Sequence, residues 1–361
     1  MRTEPVAEIV IAVHSGGRRV DRAVNSVLTG TDVPVRVTVV AHNIAVEELH
    51  PAVQPLLSDP RVNVLTLNDG IASPAQPMNY GLDHAIAPWV GVMGSDDELE
   101  PGAVDGWVRL GEQTGAAAVI ARVRRVGERP VPAPPVRLFR ARCLDPVKDR
   151  LAYRSAPLGL MSTTKLGGLR FSPGLKVGSD IAFTARLWCS GDPIAFATRR
   201  AGYVVHDDAD DRVTLAPKPL AVEFEFMEYL DEDGWLTSQP EPVRELWSVK
   251  LLRSHIFQAV ANRTDASWWD EGSRHELAVL AERSIAFCPH AIELLSRADR
   301  AALDAILDPG SDTSVMIAAV KARSRYRSLP AMLPRKMSKT FARQGPLRLL
   351  IASAAVRYFS D

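Results

Sequence analysis

The 361 residues include three cysteines, Cys143, Cys189 and Cys288, spaced for neither a disulfide framework nor a thiolate metal site. No window holds eighteen uninterrupted apolar residues. The apolar patch Leu347–Val356 is too short and contains Arg348, so no spanning helix is expected. The opening Met1-Arg2-Thr3-Glu4 carries an acid early and runs into a strand pattern instead of a signal h-region. Internal repeats are lacking, and so is a net charge, with 43 basic against 43 acidic residues. These absences exclude a disulfide scaffold and a helical membrane protein, and the expectation is a cytosolic chain. What is present, 46% hydrophobic and 24% charged residues, is globular composition over a length suited to two domains or one with an appendage.

The zero net charge conceals a split. Residues 321–361 contain ten basic residues and one acid, Asp361, which leaves 33 basic and 42 acidic residues in 1–320. A basic tail on an acidic body points to a partner for the tail. Pro330, Pro334 and Pro346 argue against one long helix there. Leu347, Leu350, Ile351 and Ala354 follow helical spacing beside Arg348 and Arg357. Such a stripe suits an anionic membrane face, an acidic glycopolymer or a neighbouring subunit, and equally a solvated tail packed only by its apolar side.

The first two hundred residues alternate β-rich runs with helical patterns. Val6–Val13, Val35–Ala41, Val62–Leu67 and Trp89–Met93 read as strands. Val20, Ala23, Val24, Val27 and Leu28 share one helical face, and Val46–Leu57 and Asn79–Ala87 read as further helices. This alternation implies a mainly parallel sheet, whose ligands gather beyond the carboxyl ends of its strands. Pro130–Pro135 is a proline-rich loop, and 156–178 reads as a long functional loop. Asp180–Trp188 is helical, Ile194–Thr198 and Gly202–Val205 are short strands, and from about Leu220 the pattern is helical.

Four clusters carry candidate chemistry. Gly94-Ser95-Asp96-Asp97-Glu98 follows a strand, and adjacent carboxylates there suit a hard divalent cation; a solvated turn with a helix cap fits the residues as well. His14-Ser15-Gly16-Gly17-Arg18 lies between a strand and a helix, where glycines admit a nucleotide or simply make a turn. Asp180 opens a helix whose macrodipole favours the anion, as a proton acceptor or a plain capping residue. His206, at the head of His206-Asp207-Asp208-Ala209-Asp210-Asp211-Arg212, could ligate metal or phosphate, and Arg212 could pair with phosphate; an incidental charged loop is the alternative.

The order of the pieces is more specific than any one of them. Asn79-Tyr80-Gly81 precedes Ser95-Asp96-Asp97-Glu98, then come Gly168-Leu169-Arg170-Phe171, Gly178-Ser179-Asp180 and finally Val205-His206. Over roughly residues 6–215 this resembles the family-2 glycosyltransferases of GT-A fold, bacterial cell-envelope type. The resemblance implies an α/β, Rossmann-type, mostly parallel sheet flanked by helices, with a catalytic domain at 1–215 and a mostly helical region at 216–361. It implies an inverting, metal-dependent transfer of a hexosyl or N-acetylhexosaminyl group from a nucleoside-diphosphate sugar. Asp180 matches the catalytic base and Asp96 the metal-binding aspartate, with Mn²⁺ or Mg²⁺ as the ion and His206 as a second ligand. Val13, His14, Asn43, Asp69, Asn79, Ser95, Asp96 and Arg212 stand for the nucleotide-sugar site.

Two positions depart from the family pattern: Gly94 replaces the first aspartate of the metal motif, and Ala41-His42-Asn43 replaces an acidic pair. The resemblance further implies a glycan or polyol-phosphate acceptor at the cell envelope, while the basic tail points to peripheral contact with the inner membrane face or to a homo-oligomer, and no nucleic-acid partner is expected. The rivals are a non-catalytic sugar- or nucleotide-binding module, favoured by Gly94 and Ala41, and a nucleotidyltransferase, disfavoured by the short Gly16-Gly17-Arg18-Arg19 segment.

Overall fold

The computed structural model describes residues 4–199, 201–208, 217–326 and 328–358. The N-terminal part runs β1 (Ala7–Val13), α1 (Val20–Thr29), β2 (Val35–His42), β3 (Val62–Leu67), α2 (Ala75–Asp83), β4 (Trp89–Gly94), β5 (Glu98–Leu99), α3 (Ala103–Thr114), β6 (Ala118–Ile120) and β7 (Val123–Arg125). It continues with β8 (Gly159–Ser162), α4 (Thr163–Leu166), α5 (Ser179–Trp188), β9 (Ile194–Phe196) and β10 (Tyr203–Val205). The helical part holds α6 (Leu220–Phe224), α7 (Phe226–Leu230), α8 (Glu241–Leu251), α9 (Phe257–Ala261), α10 (Glu271–Ala286), α11 (Arg297–Leu307), α12 (Thr313–Arg323), α13 (Leu329–Met332) and α14 (Pro346–Tyr358).

Seven strands form the main sheet in the order β3-β2-β1-β4-β8-β6-β9, and β5-β10-β7 form a small second sheet. β1 runs parallel to both β2 and β4, so Val13, His42 and Gly94 end at one edge of the sheet. The apolar runs of β1, β2 and β4 are buried on both faces, as a doubly covered parallel sheet requires. On one face pack Val20, Ala23, Val24 and Val27 of α1 with Trp107 of α3; on the other, Leu82 of α2 with Phe183 and Trp188 of α5.

Two expectations are corrected. The stretch 156–178 contains a strand: β8 inserts between β4 and β6, antiparallel to both. A four-residue strand bounded by glycine and serine has too few positions for a period to show. The helix expected over Val46–Leu57 is instead three short 3₁₀ turns. Pro51 and Pro55 interrupt it, because each lacks a backbone donor and its ring clashes with the preceding turn.

Helix α5 belongs to both parts of the molecule. Phe183 and Leu187 face the sheet, while Ile181 and Ala185 pack into a second core with Phe226, Met227, Leu246, Trp247 and Leu252. Helices α8 and α9 are joined through a π-turn over Leu252–Ile256.

The basic tail folds back on the chain's own acids. Arg323 reaches Asp299 at 2.6 Å, Arg335 reaches Asp304 at 2.6 Å, and Lys336 and Lys339 share Glu293. Asp299 also receives Arg253 at 3.1 Å and caps the start of α11 in a reciprocal arrangement with Ser296. Against the cost of its burial, the two guanidinium charges hold its carboxyl below the usual range. Removing one partner of a buried ion cluster strands the others. Asp299→Ala is therefore expected to cost about 3 kcal/mol or more, read from urea unfolding at pH 7.

Candidate functional site

At the carboxyl end of β4 the chain turns through Ser95 and Asp96, both buried, into β5. A Cβ on Gly94 would stand 2.7 Å from Asp97 Oδ2 and 3.3 Å from Asp96 Oδ1. Glycine at this position lets the two acids fold back against the strand end, which gives the departure a packing reason. Tyr203 of β10 donates its hydroxyl to Asp97 Oδ2 at 2.6 Å and accepts the Gly94 N–H at 2.9 Å. The other oxygen, Asp97 Oδ1, accepts the backbone N–H of His206 at 3.1 Å. Asp97 thus ties the small sheet to the end of β4.

Asp96 faces the segment between β1 and α1. Arg18 Nη1 lies 2.9 Å from Asp96 Oδ2, with both side chains about nine-tenths buried. Arg22 of α1 donates to the Asp96 carbonyl and pairs with Asp208 at 2.8 Å. The Arg22 hydrogen bond outweighs desolvation and pulls the Asp208 carboxyl down to about 2. His206 Nε2 lies 3.3 Å from Glu98 Oε1, so the imidazole stands over the acidic run on the Glu98 side. Among the described residues no three histidine, cysteine or acidic side chains converge on one ion. Asp96 Oδ2 is engaged by Arg18 and His206 Nε2 stands beside Glu98, so the two expected ligands have separate partners.

The ends of β1 and β2 hold the next group. Val13 is buried and His14 exposed at the turn after β1. His42 Nε2 lies 2.9 Å from Asp69 Oδ1, and the exposed Asn43 extends its amide toward the same oxygen at 3.4 Å. Desolvation works against ionisation of Asp69, but the Ile71 N–H and the His42 and Asn43 hydrogen bonds together keep its carboxyl below the usual range. Asn79 of α2 is committed elsewhere: its amide N–H donates to the Phe171 carbonyl at 2.9 Å and its oxygen accepts the Phe171 N–H at 2.8 Å. Through this clamp it holds the 167–171 segment instead of facing the strand ends. Arg212 lies outside the described residues.

Asp180 stands in the first turn of α5, after Gly178 at φ 73°. That left-handed conformation is open to glycine at little cost, and a Cβ there would also press Phe226 at 3.2 Å. Desolvation pushes the Asp180 carboxyl up to about 6, opposed by its own backbone hydrogen bond and by the charge of Lys250 on α8. A carboxyl poised there is ionised at neutral pH yet basic enough to take a proton.

Residues 8–167 match the family described as Glycosyl transferase family 2. Over that stretch, a little under half of the chain, the sequence is similar to the family-2 glycosyltransferases. The succinoglycan biosynthesis protein ExoO of Rhizobium meliloti is 24% identical over 220 residues, an alignment covering 56% of this chain and 61% of that protein. The chain thus spans less than two thirds of that relative's length. A crystal structure of S. aureus TarS 1-349 in complex with UDP-GlcNAc superposes with a TM-score of 0.73 at 16% identity, covering 89% of this chain and 93% of that one. A longer S. aureus TarS structure gives 0.68, covering 86% and 54%. At these identities the likeness establishes the fold, which is GT-A.

The family-2 match ends before Asp180, whereas the structural likeness extends through most of the helical part. Sequence reasoning placed Arg18 in the cluster after β1 without its partner Asp96 and did not find Arg22, Tyr203 or Lys250, whose side chains are aimed by tertiary packing and not by any local spacing. For His42 a signal existed: it stands where the family's acidic pair is replaced. A cavity of about 650 Å³ lies away from the strand ends, between α9, α12 and α14, and none of the strand-end acids lines it.

Proposed function

We propose that this chain transfers a sugar from a nucleoside-diphosphate sugar to a hydroxyl acceptor with inversion at the anomeric carbon. The observation carrying the proposal is Asp180: a carboxyl at a helix start, beyond the family-2 match, raised to about 6 and so poised as a base. Asp180 takes the proton of the acceptor hydroxyl while that oxygen attacks from the face opposite the leaving nucleoside diphosphate. Val13, His14, Asn43, Asp69 and Ser95 line the donor side, Asn79 holds the 167–171 segment behind it, and Arg212 belongs to the same proposal. Asp96 and His206 would hold Mn²⁺ or Mg²⁺, which when bound neutralises charge on the diphosphate. Arg18 and Arg22 add positive charge of the protein's own beside Asp96.

TarS binds UDP-GlcNAc in its crystal, and ExoO is named for succinoglycan biosynthesis. These support a UDP-sugar donor, hexosyl or N-acetylhexosaminyl, and a cell-envelope glycan or polyol-phosphate acceptor. The test is thermal-shift screening of nucleoside diphosphates with Mn²⁺, followed by nucleotide release from a panel of nucleotide sugars. Binding without any release across the panel favours the non-catalytic module.

The tail bears on location. No described helix is long and apolar enough to cross a membrane. Of the basic residues in 321–361, Lys321, Arg325, Arg343, Arg348 and Arg357 are exposed and enter no ion pair among the described residues. Phe341 is 70% and Ile351 62% exposed on the same segment. We propose that this surface rests on the anionic inner face of the membrane, at about 1 kcal/mol per basic residue. Truncation at 320 would strip Arg323 from the buried Asp299, so the clean variant is Arg343→Glu with Arg348→Glu and Arg357→Glu. It is expected to lose co-sedimentation with phosphatidylserine vesicles at low salt while its melting temperature holds; equal binding by wild type and variant counts against the surface.

A further inference from the structure

The helical part buries a lysine. Lys250, on the last turn of α8, is 2% exposed. Its Nζ lies 2.7 Å from His255 Nε2 and 3.4 Å from Ser155 Oγ, and 4.9 Å from the centre of the Trp247 ring. Among the described residues no carboxylate comes within ion-pair distance of it. A buried ammonium without a contacting acid is costly and persists only with compensation.

The pairing depends on a local irregularity. In a regular α-helix, residues five apart diverge by about 140° at about 100° per residue. The π-turn over Leu252–Ile256 widens the coil and brings His255 round onto Lys250. Such turns concentrate at functional sites. The pair is also joined to the base-bearing loop by contact: Phe226 of α7 packs on His255 with ring centres 4.8 Å apart, and the same Phe226 abuts Gly178.

We propose that Lys250, aligned by His255 through the π-turn, is a positioning residue for Asp180: its positive charge holds the base ionised for proton abstraction, so the helical part completes the catalytic site. This rests on the reading of Asp180 as the base. The charges of Lys250 and Asp180 act on one another, each favouring the ionised form of the other. Desolvation pulls the Lys250 ammonium down to about 7, against the raising effect of Asp180. His255, also desolvated and beside Lys250, is held well below its usual value and is therefore neutral, an acceptor for the ammonium. Arg154, the adjoining buried cation, is turned away to the carbonyls of Ala121 and Ala133.

The test needs no substrate. In full-length protein labelled with ¹³C at aspartate carboxyls, the Asp180 resonance is assigned by its loss in Asp180→Asn and titrated in wild type, Lys250→Met and Lys250→Arg. The expected result is a midpoint about one pH unit higher in Lys250→Met, with Lys250→Arg close to wild type. Equal midpoints in all three overturn the inference. Should Lys250→Met not fold, the ¹³Cε resonance of Lys250 decides in the opposite direction: its midpoint must fall in Asp180→Asn, and an unchanged midpoint overturns the coupling. Failure of the base reading is separate, since it shows as normal turnover in Asp180→Asn whatever the titrations give.

Discussion

Asp180→Asn is expected to fold normally and to lose two to four orders of magnitude in transfer rate, roughly the range contributed by a positioned general base. The amide is nearly isosteric and remains compatible with the α5 start, so donor affinity should barely move. Rates measured from pH 5 to 9 should show a wild-type acid limb near about 6, where the Asp180 carboxyl titrates, and the limb should vanish in the variant. Stability carries the same signature. Because the folded carboxyl is raised above its ordinary value of about 3.9, the folded chain holds this proton more tightly than the unfolded chain does. Between pH 4 and 6 wild type therefore loses stability with rising pH relative to Asp180→Asn. Near-normal turnover in the variant would leave Asp180 as a plain helix-start residue.

Asp96→Ala should be comparably severe for a different reason. Asp96 both supplies the ion-binding carboxylate of the proposal and holds Arg18 at 2.9 Å. Its loss is expected to abolish transfer and to weaken Mn²⁺-dependent UDP binding at least about tenfold, a difference of about 1.4 kcal/mol. Thermal-shift titration of UDP with and without Mn²⁺ reads both quantities. Arg18→Gln separates the two roles: it should weaken UDP binding while the stimulation by Mn²⁺ survives. Retention of Mn²⁺ stimulation in Asp96→Ala would remove Asp96 from the ion site.

The parallel strands were legible because burial on both faces demands unbroken apolar runs such as those of β1 and β2, which no loop imitates. The acid-bearing strand end was legible for the same reason: Asp96 follows directly where the run in β4 stops. Helix α3 and strand β8 were missed, the latter because a short antiparallel insertion owes its place to neighbours far along the chain. The 3₁₀ turns after β2 show the reverse, apolar spacing overruled by two prolines that the pattern ignored. Lys250 was hidden more deeply. It sits in a stretch read correctly as helical, Val243–Ala261, but helical periodicity does not predict a π-turn, and without that turn His255 points away from it. The arginines at Asp96 were likewise unreadable, since long side chains carry no spacing that reveals what they reach.

The double allegiance of α5 has a consequence for engineering. A helix walled by the sheet on one side and by α7 and α8 on the other has no solvent face at Ile181 or Ala185. The helical part cannot be exchanged for that of a relative as a cassette joined near residue 216. The graft would meet a foreign α5 surface, and any misfit there would be felt one residue from Asp180. A working chimera must carry the outer face of α5 with the donor's helices, so the recombination point lies within α5 and not in the linker.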